Sequence, residues 1–126
     1  MESIIEALVE HGLSLAGDER IAEVRVGLGY TAVKVGGGQV GVGGMLRYLL
    51  DGSGCSLLSY AGTLAGRLAA EIVPMLRSEN IVEASIGLAT INALAKWEGP
   101  AGSSNDDLVE LLHIDPHDQV GMVGDI

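Results

Sequence analysis

No phenylalanine occurs among the 126 residues, and the other aromatic side chains are one Trp and three Tyr. A core made by this chain cannot rest on large rings. It must be built from Ala, Val, Ile and Leu, with 19 glycines letting backbones approach closely. Basic residues are scarce as well. Seven Lys and Arg against seventeen Asp and Glu leave a formal charge of −10, a field that repels phosphate backbones, so nucleic acid is not an expected partner. After Lys96 there is no Lys or Arg, while Glu98, Asp106, Asp107, Glu110, Asp115, Asp118 and Asp125 follow. That stretch suits a cation, a basic partner or solvent. A single cysteine, Cys55, can form neither an internal disulfide nor a cysteine-cluster metal site alone, which makes the reducing cytoplasm the expected compartment. Residues 1–15 lack the basic start of a secretory signal. The apolar run 35–46 is too short and too rich in glycine to span a bilayer, so no membrane association is expected.

What is present is a 48% hydrophobic composition, enough to bury a core in one domain and not comfortably in two. From Ser3 to Leu13 apolar residues recur at three- and four-residue steps with Glu2, Glu6 and Glu10 opposite, which predicts an amphipathic helix stopped by Gly12 or Gly17. The period then changes. Alternation of Val24, Val26 and Leu28 with Glu23 and Arg25, followed by Thr31, Val33, Val35, Val40 and Val42, predicts three strands at 22–28, 30–35 and 39–44. Gly36, Gly37 and Gly38 supply a tight hairpin turn between the second and third, giving an antiparallel meander.

Residues 46–59 lose all period and read as a loop carrying Cys55. Helical spacing returns over 62–78, where Leu64, Leu68, Ile72 and Leu76 form a stripe, Arg67 and Glu71 can pair, and Pro74 kinks or shortens the end. A third helix over 80–98 is apolar nearly all round and is therefore expected to be buried. Gly87 costs it about 1 kcal/mol of helix propensity relative to Ala, tolerable if a neighbour packs directly on that spot. Gly99 to Asn105 reads as a linker, Ser104 as the cap of a short helix over 106–112, Pro116 as its breaker, and 119–123 as a strand.

The order helix, three strands, two helices predicts an α+β fold, a three-stranded antiparallel meander packed against helices. The segment "SIGLATINALA", followed after a linker by "DQVGMVGDI", with the glycine-bearing hairpin and the "LAGRLAAEIV" helix, resembles the family described as "putative heavy-metal chelation". In those bacterial and archaeal proteins a domain resembling the N-terminal domain of enolase precedes a Rossmann-like domain. The resemblance implies an enolase N-terminal-like domain over 1–98, a linker with a short helix over 99–118, and the first strand of a truncated Rossmann-like domain over 119–126.

The densest set of metal-type donors is "HIDPHD", where His113, Asp115, His117 and Asp118 place two imidazoles and two carboxylates within six residues. Imidazole suits Zn, Ni, Cu or Fe, and carboxylates can complete such a site, so a transition metal is the candidate cofactor. Pro116 opposes a continuous helix, and a polar linker before a strand is the plainer reading. Asn92 stands inside the apolar third helix, in line with Ser85 and Lys96. It either ties the helix to a backbone carbonyl or, as the family resemblance implies, faces a ligand in an inter-domain cleft. "VGGGQVGVGG" lacks the Lys-Ser/Thr of a phosphate loop, and "VGMVGDI" lacks GxGxxG. Cys55 has no neighbouring cation to ionise it, and His11 reads as a residue near a helix C-terminus.

The reading these residues and the resemblance support is a capping or binding domain, not catalytic as an isolated chain, that forms one wall of a metal or oxyanion site completed by a Rossmann-like domain or subunit. Two other classes remain open. One is the non-catalytic half of an enzyme acting on a small anionic molecule. The other is a homo-oligomer formed through the C-terminal strand.

Overall fold

A computed structural model describes residues 3–46, 58, 60–96, 108–121 and 123. Helix α1 (Ile4–Ala16) begins at Ser3, whose hydroxyl accepts the Ile5 N–H, and ends at Gly17 with φ of 46°, a conformation that glycine adopts without steric cost. Strands β1 (Ile21–Val26), β2 (Tyr30–Val35) and β3 (Val40–Gly44) form the predicted antiparallel sheet in the order β1-β2-β3. Val24 opposes Val33 and Ala32 opposes Val42, with an irregularity in β1 between Ile21 and Glu23. The hairpin turn is where the glycines placed it: the Gly38 N–H donates to the Val35 carbonyl, and Gly38 takes φ of 93°.

The helix expected over 62–78 is much shorter. Gly62 and Gly66 sit at φ of 84° and 85°, outside helical space, and Leu68 bridges to Arg20 beside β1. Backbone bonds from Ile21 N–H to the Arg67 carbonyl and from Gly66 N–H to the Ile21 carbonyl tie this turn segment to β1 in place of helical pairing. Helix α2 (Ala69–Ile72) follows, and at Pro74 the chain tightens into a 3₁₀ turn, Val73–Arg77. The Arg67–Glu71 pair forms at 3.6 Å although Arg67 precedes the helix.

Helix α3 (Ile81–Leu94) is the centre of the molecule. Asn80 caps it by accepting the Val82 and Glu83 N–H groups, and its flanks are buried on most sides, as the lack of a polar face predicts. It packs on β2 and β3, on the 3₁₀ turn and on α1. Small residues make each of those approaches close. A Cβ at Gly41 or Gly43 of β3 would run into the α3 backbone at Ala89 or at Ser85, and one at Gly87 would run into the backbone of Leu76. Gly12 does not stop α1. It lets α1 lie against Ile91 and Val73, where a Cβ would come within 2.7 Å and 2.9 Å of their side chains.

Two hydroxyls cross this aliphatic core: Thr31 and Ser85 lie 2.7 Å apart, and Ser85 Oγ donates to the Val82 carbonyl, so Thr31 supplies the proton between them. Among the described residues no buried side-chain nitrogen or oxygen lacks a partner. No described helix is long and apolar enough to cross a membrane.

Beyond α3, helix α4 (Leu108–Leu111) falls within the 106–112 expected, of which 106 and 107 lie outside the described residues. The linker at 99–105, its Ser104 cap and Cys55 lie outside the described residues. Residues 119–121 and 123 belong to no strand, and Val120 and Val123 are exposed. Among the described residues, the three-stranded sheet makes no ladder with this segment.

Candidate functional site

Two helix ends and the hairpin enclose a cleft of about 380 Å³. Its floor is Leu15, Ala16, Val35, Ala93 and Leu94, and its polar groups are Asp18, Glu19, Gln39 and Lys96. The sequence positions each of them locally. Gly17 turns the chain out of α1 so that Asp18 and Glu19 follow at once, and the Glu19 carboxylate accepts the Gly37 N–H at 2.9 Å, docking the hairpin tip against the helix end. Lys96 stands two residues past the end of α3. Neither α1 nor α3 has a basic residue in its last turn, so Lys96 is the cation of this cleft set against the negative ends of the two helix dipoles. Two carboxylates against one ammonium add to that field, and the cleft favours a cationic group over an anion. None of these residues stood out in the sequence, because the three segments that meet here are distant along the chain.

A second polar cluster lies at the opposite end of α3. The Tyr60 hydroxyl donates to Glu83 Oε1, the Ser78 hydroxyl donates to Glu83 Oε2, and Ser78 Oγ accepts the Asn80 N–H at 3.1 Å. The bonds from Ser78 and then Tyr60 hold the Glu83 carboxyl below its ordinary range against a smaller opposing effect of burial. Burial, then the adjacent carboxylate, push the Tyr60 phenol up to about 12. Each Glu83 carboxylate oxygen accepts a bond within the cluster, which ties the segment around Tyr60 to the α3 N-terminus. The signal available in the sequence was the Asn80 cap with an acidic residue three positions on.

His113, Asp115, His117 and Asp118 lie in an exposed turn after α4. His113 takes φ of 50°. The Asp115 carboxylate accepts the His117 N–H at 2.9 Å, and the Asp118 carboxylate accepts the Asp115 N–H at 2.8 Å. Both carboxylates thus serve the turn's own backbone, the role Asp takes in such turns. Among the described residues no three His, Cys, Asp or Glu side chains gather into a group able to hold a metal ion. The donor set of this turn as it stands does not fit a closed metal site. Asn92 donates through Nδ2 to the Val42 carbonyl at 2.7 Å, fastening α3 to the edge strand from an exposed position. His11 is exposed in the body of α1, and its carbonyl accepts the Ser14 hydroxyl.

Solved structures share this fold. A protein of unknown function of the DUF364 family from Desulfitobacterium hafniense matches with a TM-score of 0.57 and 24% identity over 71% of this chain and 34% of its own. A DUF364-family protein of unknown function from Pyrococcus horikoshii matches with a TM-score of 0.57 and 25% identity over 73% of this chain and 37% of its own. The chain therefore spans little more than a third of the length of either. No curated protein matches it. Residues 9–95, from the middle of α1 to the end of α3, match the DUF4213 family, and the chain belongs to that family, described as "putative heavy-metal chelation".

Proposed function

We propose that the chain is a binding and capping domain, without chemistry of its own, that supplies one wall of a metal or oxyanion site completed by a Rossmann-like domain or subunit. The observation that carries this reading is a shortfall of donors in a family described by metal chelation: among the described residues no three His, Cys, Asp or Glu side chains converge. Similar solved proteins are nearly three times as long as the part this chain matches, which leaves ample polypeptide to furnish the remaining ligands. The cleft beside Lys96 is the wall best suited to the task. It favours cations, which suits a metal and not an oxyanion, and Lys96, two residues past α3, lines it.

The test is a calorimetric titration with Zn, Ni, Cu and molybdate of the chain alone and of the chain mixed with the product of the reading frame that follows it. Binding heat in the mixture, at least about tenfold tighter than for the chain alone, is expected, since a site lacking part of its ligand shell loses affinity on that scale. Tight binding by the isolated chain, or none in either sample, overturns the reading.

A further inference from the structure

The two edges of the sheet are finished differently. At β3 the Val42 carbonyl is taken by Asn92, which fastens that edge to α3. At β1 a covering ladder starts and stops. Arg20 bridges to Leu68, and Ile21 bonds through its N–H to Arg67 and through its carbonyl to Gly66. At Gly66 and Gly62, both at positive φ, the covering segment bends away from the strand. Beyond Ile21 no backbone bond among the described residues reaches this side of β1.

The gap is a groove of about 350 Å³, with Val24 and Val26 on the strand side and Leu58, Ala61, Leu64 and Ala65 opposite. Glu23, the charged residue of its lining, is paired with Arg25, so the walls present mainly aliphatic surface. The Gly27 N–H donates to the Tyr30 carbonyl, so Gly27 turns its backbone toward β2, and by the alternation of an antiparallel ladder so does Arg25. Val24 and Val26 therefore turn their N–H and C=O groups to the open side. Their cross-strand neighbours Val33 and Thr31 are buried, which puts the side chains of Val24 and Val26 on the α3 side of the sheet, in the groove.

We infer that this groove binds an extended, net-basic polypeptide segment of a partner, which adds to β1 as a further strand and sets alternate apolar side chains into the groove. Two features select that occupant. Donors and acceptors at two-residue spacing, unpaired among the described residues, match the backbone of an extended chain rather than a small apolar ligand. The net charge of −10 attracts a basic segment and repels a second copy of this chain. Residues directly opposite Val24 and Val26 share the face of these valines, so apolar side chains there enter the groove while the basic ones between them stay in solvent. This inference does not rest on the metal-site reading, and its test involves no metal.

The probe is the capped peptide Lys-Val-Lys-Val-Lys-Val, and the readout is amide hydrogen exchange of the full chain by NMR. The Val24 and Val26 amides should exchange fast in the free chain and slow at least about threefold with the peptide at about 1 mM. Methylating the valine nitrogens, which removes the donors facing β1, should weaken binding at least about tenfold, and the version with Glu in place of Lys should bind about tenfold less well at low salt. Val26→Pro deletes a donor on the open side without touching the ladder to β2, and should weaken binding about fivefold, with circular dichroism checking its fold. If that variant does not fold, the methylated peptide decides alone. Val24 and Val26 amides already protected in the free chain overturn the proposal, whether the edge is filled by the chain itself or, where protection grows with concentration, by a second copy. So does the absence of slowing at about 1 mM peptide. A peptide that binds equally well when methylated is not pairing as a strand, and one that binds equally well with Glu removes the basic partner; either result overturns it too.

Discussion

Strands β2 and β3 lie side by side in one sheet and obey opposite rules. β2 sends Thr31, Val33 and Val35 into the core and leaves Tyr30 and Lys34 exposed, the usual alternation of an antiparallel strand with one wet face. β3 reads Val-Gly-Val-Gly-Gly and does the reverse, burying Gly41 and Gly43 while Val40 and Val42 face solvent. The difference is set by distance. The α3 backbone at Ser85 and Ala89 passes so close to β3 that no Cβ fits between them, whereas over β2 there is room for Val33, which is fully buried. In β3 the hydrophobic effect yields to excluded volume, and the displaced valines become the apolar centre of the outer face.

The sharpest way to break this comparison is to write the β2 rule into β3. Gly41→Val places a branched side chain on the Ala89 carbonyl and the Asn92–Ala93 peptide, backbone atoms of a helix that cannot rotate aside. Overpacking against yielding side chains costs about 1–3 kcal/mol, so a loss of at least about 3 kcal/mol is expected here, against no more than about 0.5 kcal/mol for Val42→Thr on the open face. Urea unfolding of both variants measures the contrast. Near-equal losses would show that β3 and α3 are not in contact at this spacing.

That inversion also marks where the sequence stops being legible. The period changes near Ala22 and the triple glycine located the strands and their hairpin, because strand existence is a local property. The uniform apolarity of 81–94 announced a buried helix, and the expectation that Gly87 needs a close neighbour is met by the backbone of Leu76. What periodicity does not encode is which set of an alternating strand faces in, once glycine and valine compete for a tight space. The overlong helix expected at 62–78 failed for a related reason. Its leucine stripe is real, yet Gly62 and Gly66 adopt left-handed backbone and the segment pairs with Arg20 and Ile21, contacts made across more than forty residues. The cleft of Asp18, Glu19 and Lys96 was invisible on the same grounds, being assembled from three distant segments.

A smaller effect tests how α3 is held at its N-terminal end, away from the glycine contact. Bonds from Ser78 and Tyr60 hold the Glu83 carboxyl below the ordinary value of 4.5. Because the folded value lies below the unfolded one, the stabilisation is present above pH 4.5 and is lost as pH falls through the folded value. Tyr60, raised from 10.0 to about 12, acts at the other extreme: its contribution is intact below pH 10 and fades as pH climbs toward 12. Thermal melts of Glu83→Gln should show a loss of about 1–2 kcal/mol near neutral pH and a flatter acid limb than the parent. An unchanged acid limb would mean that other carboxylates govern acid unfolding.

The smallest expected effect concerns Asn92, which sits on α3 next to the glycine contact and reaches the carbonyl of outward-facing Val42. Asn92→Ala removes one bond to a group that water can also reach, a loss of about 0.5–1 kcal/mol. Asn92→Asp should cost more than Ala at pH 7, because an ionised carboxylate has no proton to offer and faces a carbonyl oxygen. The gap should close as the new carboxyl becomes protonated and regains a donor, so the two variants are best compared by denaturant unfolding at neutral and at acid pH. If instead both leave stability untouched while weakening metal or oxyanion binding in the mixture with the downstream product, Asn92 serves the shared site and the fastening of α3 to β3 rests on the glycines alone.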